Sequence, residues 1–325
     1  MDGLLVIDKP IGPTSHDVVA RVRRILDERR IGHTGTLDPA ASGVLPLVVG
    51  RATRLARFLS AADKTYEAVI RVGVSTDTYD AEGQPTEPAY RGPLPLREDV
   101  DHALDAFRGT FDQRPPAYSA KKIGGTRSYR LARRAAHPSR SDAPPHTGAS
   151  QAHVLPEPIA VTVKRIEILE VAADMVRLRV DCSSGFYMRS LAHDLGQALG
   201  IGASLWALRR TRSGDISIAS AASLAAVEAG GGRTALGLLI PLSGMLLAFP
   251  SVALTPEGVR RAANGRNLGA GDTLTALDAA RFSSEAAHPA SVVRFRLLDA
   301  SGCLVGIAEP ALEEPELLHP SVVLM

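Results

Sequence analysis

One stretch of this chain isolates a single acid in a backbone suited to presenting it. Residues 32–46 read GHTGTLDPAASGVLP, and Asp38 is the only carboxylate side chain between Glu28 and Asp63. Pro39 steers Asp38 away from helical geometry towards an extended one. Gly32, Gly35 and Gly43 let the chain turn sharply or approach a ligand closely, and Thr34, Thr36 and Ser42 offer hydroxyl partners. Two readings follow: a nucleophile or base on a shaped loop, or an Asp-Pro turn whose carboxylate caps neighbouring amides.

A second group of residues suits phosphate. Between 121 and 134 the chain reads KKIGGTRSYRLARR, with six cations, no acid and Tyr129 among them. Lys121, Lys122, Arg127 and Arg130 are the candidate contacts to a nucleic-acid backbone; the competing reading is a solvated helix face. Other chemistries are disfavoured. The nine histidines form no HExxH or comparable ligand spacing, so no metal is expected. Cys182 and Cys303 lie far apart, outside any CxxC, which fits a reducing compartment and no disulfide scaffold. Cys182 reads as a small buried residue. The acids of TDTYDAEG, at Asp77, Asp80 and Glu82, miss the alternation of a calcium loop; a loop lying near the substrate, or a plain hairpin turn, is expected there.

The elements that must position these residues can be read from periodicity. Leu4 to Ile7 predicts a buried strand, and Ser15 can cap a helix carrying Val18, Val19, Val22, Ile25 and Leu26 on one side. A strand over 44–49, a basic helix over 51–59 and a half-buried strand over 66–74 follow, then an amphipathic helix over 98–107. Residues 159–169 and 175–182 alternate as two strands, and a turn at 183–185 leads into a helix over about 186–199. Strands and helices without a regular βαβ rhythm predict a mixed α/β (α+β) fold with a largely antiparallel sheet.

At 325 residues and 45% hydrophobic, the chain can bury a large core and more than one domain is expected. The uncharged stretch 235–254 has the length of a membrane span, but its prolines, glycines and serines predict a buried linker. The N-terminus carries acids where a secretory signal would carry positive charge, so a cytoplasmic protein is expected. Residues 137–158, rich in Pro, Ser, Ala and His, read as an insertion with little hydrophobic pattern. Beyond Pro250, TPEGVRRAANG and the hairpin VVRFRLLDASGCLVGIAEP predict a small β-rich domain, turning at 299–302. The division is 1–248 and 249–325.

The Asp38 segment closely resembles the Asp-bearing motif of the TruB family of tRNA pseudouridine synthases, and the resemblance extends over essentially the whole chain. It implies a pseudouridine-synthase fold with a cleft across a central sheet, and isomerisation of uridine 55 in the T loop of tRNA. The target base leaves its stack, the N1–C1′ bond breaks, the base turns, and C5 joins C1′; no redox change occurs, so no cofactor is implied. Asp38 matches the essential aspartate, which would add to C6, attack C1′ or remove the C2′ proton. Arg189, in FYMRSLAHDLG, matches its ion-pair partner, and Tyr66, in DKTYEAVIRVG, the ring that stacks on the flipped uracil. Tyr187 and Leu208 match the pocket wall. His33 matches the residue that fills the space of extruded nucleotides. Lys9 and Pro10 match a segment packing near the catalytic loop, with a mainly structural role.

The run at 121–134 corresponds to the family's thumb, which closes on the T stem-loop, although 137–158 is longer than the usual pattern. The last domain resembles a PUA-type RNA-binding domain. Absence of a second acid beside Asp38 argues against glycoside hydrolysis, which takes two carboxylates. The rival readings are a tRNA-folding chaperone that binds the T arm and an RNA-guided synthase subunit. The thumb-like segment favours a stand-alone, monomeric enzyme acting on tRNA, without membrane or metal.

Overall fold

The computed structural model describes residues 1–118, 156–274 and 293–325, with the backbone of 122–123 and 126–127. The chain begins β1 (Gly3–Lys9), α1 (Ser15–Leu26), β2 (Ile31–His33), β3 (Ala41–Val49), α2 (Ala56–Ala61) and β4 (Lys64–Val72). It continues α3 (Arg97–Leu104), β5 (Gly109–Gln113), β6 (Lys122–Ile123), β7 (Thr126–Arg127), β8 (Ile159–Ala172), β9 (Met175–Cys182) and α4 (Met188–Ala198). The remainder runs β10 (Ala203–Ser213), β11 (Ile216–Ser217), β12 (Ala222–Ser223), α5 (Leu224–Gly237), β13 (Ile240–Pro241) and β14 (Ser251–Ala253). Last come α6 (Pro256–Ala263), β15 (Phe295–Leu298), β16 (Leu304–Pro310) and β17 (Leu318–Val323). Two compact units result: Met1–Pro39 with Gly43–Ala61 and Gly214–Met325, and Ala40–Ser42 with Ala62–Ser213.

In the first unit β1 is central because every residue from Gly3 to Ile7 is buried. It pairs antiparallel with β3, Gly3 opposite Val49 and Lys9 opposite Gly43. On its other side it pairs parallel with β12 and antiparallel with β13. The helix α1 starts one residue earlier than the sequence reading had it. Thr14 is the N-cap, exchanging hydrogen bonds with Asp17 in a capping box, and this frees Ser15 for another task. The predicted basic helix over 51–59 is a 3-10 turn over Gly50–Leu55 followed by α2. A β14–β15–β16–β17 sheet closes the chain, with Val252, Leu254, Phe295, Leu297, Val305 and Leu318 in its core. Leu304, Ile307 and Leu324 instead join Leu4, Val6 and Val48 in a second core of the same unit.

The second unit is an antiparallel sheet in the order β10–β4–β9–β8–β5. Its register sets Tyr66 opposite Val180 on one side and Arg210 on the other. One face carries Ala68, Ile70, Val72, Val176, Leu178 and Val180, packed against Val100 and Leu104 of α3 and Leu191, Ala192 and Leu195 of α4. On the opposite face ion pairs form, Arg179 of β9 with Glu67 of β4 at 2.9 Å and Arg71 of β4 with Asp174 of the β8–β9 turn at 2.8 Å. The period-2 alternation read in 159–169 and 175–182 is this division of faces. Among the described residues, no helix is long and apolar enough to cross a membrane; the uncharged stretch 235–254 is the end of α5, two short strands and turns.

Candidate active site

Asp38 lies exposed on the loop between β2 and β3, while Leu37 just before it is 3% exposed. The loop is fixed by polar contacts at both neighbours of the aspartate. Ser15, buried at the start of α1, accepts a hydrogen bond from the Leu37 amide at 2.9 Å and donates to the Leu37 carbonyl at 3.0 Å. The Gly12 amide donates to the Pro39 carbonyl at 2.9 Å, and Lys9 Nζ donates to Pro10 O at 2.9 Å and to Pro39 O at 3.4 Å. Gly35 at φ +122° and Gly43 at φ +106° supply the left-handed turns that bracket it. A carboxylate held this way has little conformational freedom to lose when it meets a substrate.

Lys9 does more than pack. Its side chain is completely buried, and burial pulls its pKa below the ordinary lysine value, while the negative charge of Asp38 opposes that shift. An ammonium bonded to the Pro39 carbonyl therefore lies close enough to the candidate carboxylate for the two charges to interact. His33 is not on the turn itself: it ends β2, opposite Leu47, half-buried, with the ring of His16 edge-on at 5.1 Å.

Tyr66, Leu208, Tyr187 and Arg189 belong to the second unit. Tyr66 and Leu208 are partly buried against the core on the helix-covered face, Leu208 standing opposite Ala68. Two buried cations share their strands: Arg210, 1% exposed, opposite Tyr66, and Lys64, 5% exposed, two residues before it. Burial, with Arg210 adding to it, pushes the Lys64 pKa down to about 8. Cys182, opposite Lys64, is fully buried and its thiol is pushed up to about 12 by burial, leaving it inert. Tyr187 is the N-cap residue of α4, and no side chain caps this helix. The Gln113 amide grips its backbone instead, accepting from Tyr187 N at 2.8 Å and donating to Tyr187 O at 3.1 Å.

Arg189 sits in the first turn of α4 and is buried, 8% exposed. It donates to Tyr118 O at 2.9 Å and Thr78 O at 3.3 Å, and its Nη1 lies 3.6 Å from Asp80 Oδ2. The sequence reading named Asp80 only as an acid of the TDTYDAEG loop, not as a partner of Arg189. The other oxygen of Asp80 is occupied by the Thr78 hydroxyl at 2.6 Å and the Glu82 amide at 3.1 Å, so Oδ2 faces the guanidinium. The TDTYDAEG segment does turn as a hairpin, with Thr76 bridged to Pro85, but it also seats a carboxylate on α4. Asp80 lies 109 positions before Arg189 in the chain, a separation that no local spacing reveals.

Of the basic residues, Lys122 and Arg127 lie opposite one another in the two-stranded β6–β7 ladder; Lys121 and Arg130 lie outside the described residues, as does 137–155 of the insertion. No group of His, Cys, Asp or Glu among the described residues could hold a metal ion.

Residues 23–188 match the model of the TruB family pseudouridylate synthase N-terminal domain, and residues 189–233 that of the tRNA pseudouridylate synthase B C-terminal domain. The chain is 44% identical to the tRNA pseudouridine synthase B of Solibacter usitatus over the full length of both. It is 48% identical to that of Gloeobacter violaceus over 71% of this chain and 74% of the relative. Among solved structures it resembles an H/ACA ribonucleoprotein bound to a substrate RNA containing 2′-deoxyuridine, with a TM-score of 0.68 and 24% identity over 99% of this chain and 85% of that one. At that identity the likeness is one of fold.

Proposed function

The chain belongs to the TruB family of pseudouridylate synthases, and from that premise we propose that the tRNA uridine it isomerises to pseudouridine is number 55 of the T loop. Asp38 is the reacting carboxylate, and its exposure on a loop pinned through Leu37 and Pro39 is the observation that carries this reading. Arg189 is the cation that holds Asp38 ionised and oriented; Tyr66 stacks on the extruded base, and Leu208 and Tyr187 wall the pocket. His33 enters the T loop in place of the displaced nucleotides. Lys9 supports the catalytic loop electrostatically.

Lys121, Lys122, Arg127 and Arg130 contact phosphates of the T arm. Such contacts position the RNA without specifying the base and make binding salt-dependent. Residues 1–248 form the catalytic part and 249–325 a PUA-like RNA-binding domain, a reading supported by the four-stranded β14–β17 sheet. The protein works as a cytoplasmic monomer without a cofactor, because isomerisation moves no electrons and no group between molecules.

Two measurements test this. The Asp38→Asn protein should bind tRNA with the affinity of the wild type and form no pseudouridine; unchanged product would remove Asp38 from the chemistry. Purified wild-type chain should modify a bare T stem-loop at the uridine corresponding to 55, and a requirement for a guide RNA or partner subunits would replace the stand-alone reading.

A further inference from the structure

We propose that Tyr79 and His193 form an aromatic clamp that positions Asp80 against Arg189. The inference rests on the isomerase reading above, in which Arg189 serves Asp38. Tyr79 immediately precedes Asp80, and its ring lies flat on the His193 ring, centroids 3.9 Å apart and planes 11° apart. His193 is four residues after Arg189 on α4, so both side chains rise from one face of the helix. The 76–83 loop thus meets α4 at two successive levels. Arg189 reaches Thr78 O and Asp80 at one, and the stacked rings join at the other.

The backbone at Tyr79 supports this assignment. Its φ is +65°, a conformation in which a bulky residue is a rare outlier and glycine the unstrained choice. The loop holds it there: Tyr79 N donates to Thr76 O at 3.2 Å, and Tyr79 O accepts from Leu205 N at 2.9 Å. A residue kept in a sparsely populated conformation beside a functional group is a hallmark of positioning. The His193 ring is held by packing more than by hydrogen bonds, since its buried Nδ1 has no hydrogen-bond partner among the described residues. Offset or parallel ring contacts of this sort favour one relative orientation.

The consequence falls on Asp80. With Oδ1 fixed by Thr78 and Glu82, the direction of Oδ2 depends on the peptide between Tyr79 and Asp80. Loss of the stack releases that peptide, and the Arg189 guanidinium loses a fixed anion on one of its edges. Tyr79 and His193 are accordingly positioning residues, acting through Asp80 on Arg189, and their removal affects turnover rather than tRNA binding.

The test combines single-turnover pseudouridine formation with tRNA affinity. Tyr79→Ala should slow the chemical step about tenfold, an effect of the size misorientation produces, with tRNA affinity within about twofold of wild type. Tyr79→Phe keeps the ring and should stay within about twofold in both. In an Asp80→Asn background, Tyr79→Ala should add nothing, since the clamp has lost its object. An undiminished rate in Tyr79→Ala, an equal loss in Tyr79→Phe, or a full additive loss on Asp80→Asn would each overturn the clamp. Should the wild type make no pseudouridine, the isomerase reading falls on its own. Amide exchange across 76–83 then decides the clamp, faster in Tyr79→Ala if it exists and unchanged if it does not.

Discussion

A half-buried carboxylate becomes a burden once it ionises, and Asp194, with no ion pair among the described residues, is such a group. Burial pushes its pKa from 3.8 to about 6. The protonated form is the one the fold favours, so its stabilisation is complete below the unfolded value and is lost as pH rises through 6. Asp194→Asn should therefore add about 1–2 kcal/mol at pH 8, the two-unit shift being discounted for partial exposure, and add nothing at pH 3.5. Urea unfolding at the two pH values measures this, and an equal change at both would refute burial as the cause. Lys9 offers a second residue-level expectation. Lys9→Met removes the ammonium bonded to the Pro39 carbonyl and should slow turnover by about one to two orders of magnitude. Lys9→Arg should not rescue it, because a completely buried site leaves no space for the wider guanidinium fork.

At the start of α1 the capping role expected of Ser15 belongs to Thr14, and Ser15 has another. Thr14 caps the helix, and Ser15 ties Leu37 to it. Thr14→Ala should cost about 1 kcal/mol of stability and leave the chemical step unaltered. Ser15→Ala strands the polar backbone of buried Leu37, which should cost about 1–3 kcal/mol and also loosen the residue preceding Asp38. Stability and single-turnover rate measured together distinguish the two: both fall in Ser15→Ala, only stability in Thr14→Ala. Equal rates in the two variants would mean that the serine contact does not position the loop. At the start of α4 the Gln113 side-chain amide likewise holds the backbone of Tyr187.

In the first unit the last residues of the chain are structural. Arg51 donates to Leu324 O at 2.7 Å, Arg54 to Val323 O at 2.6 Å and Arg57 to Ser321 O at 3.3 Å. Leu324 itself is 1% exposed in the core with Leu4 and Val48. The arginines of the stretch that reads as a basic helix, exposed as they are, therefore also hold the last strand. Leu324→Ala should destabilise the protein by about 2–5 kcal/mol, read as a fall in the unfolding midpoint. A change below about 0.5 kcal/mol, the scale of an exposed substitution, would show that the C-terminal strand is not part of this core.

Residue order alone determined the strands and helices with strong periodicity, because side-chain alternation and helical spacing are local properties. It also determined the lone acid, since Pro39, the flanking glycines and the want of other carboxylates are visible within a few positions. Burial decided the rest. Arg189 is buried only once the sheet and α4 enclose it, and Asp80 reads as a turn acid until folding brings it to a guanidinium 109 positions away. Such contacts depend on which elements pack together, and packing is set by the summed burial of many side chains that no short window contains.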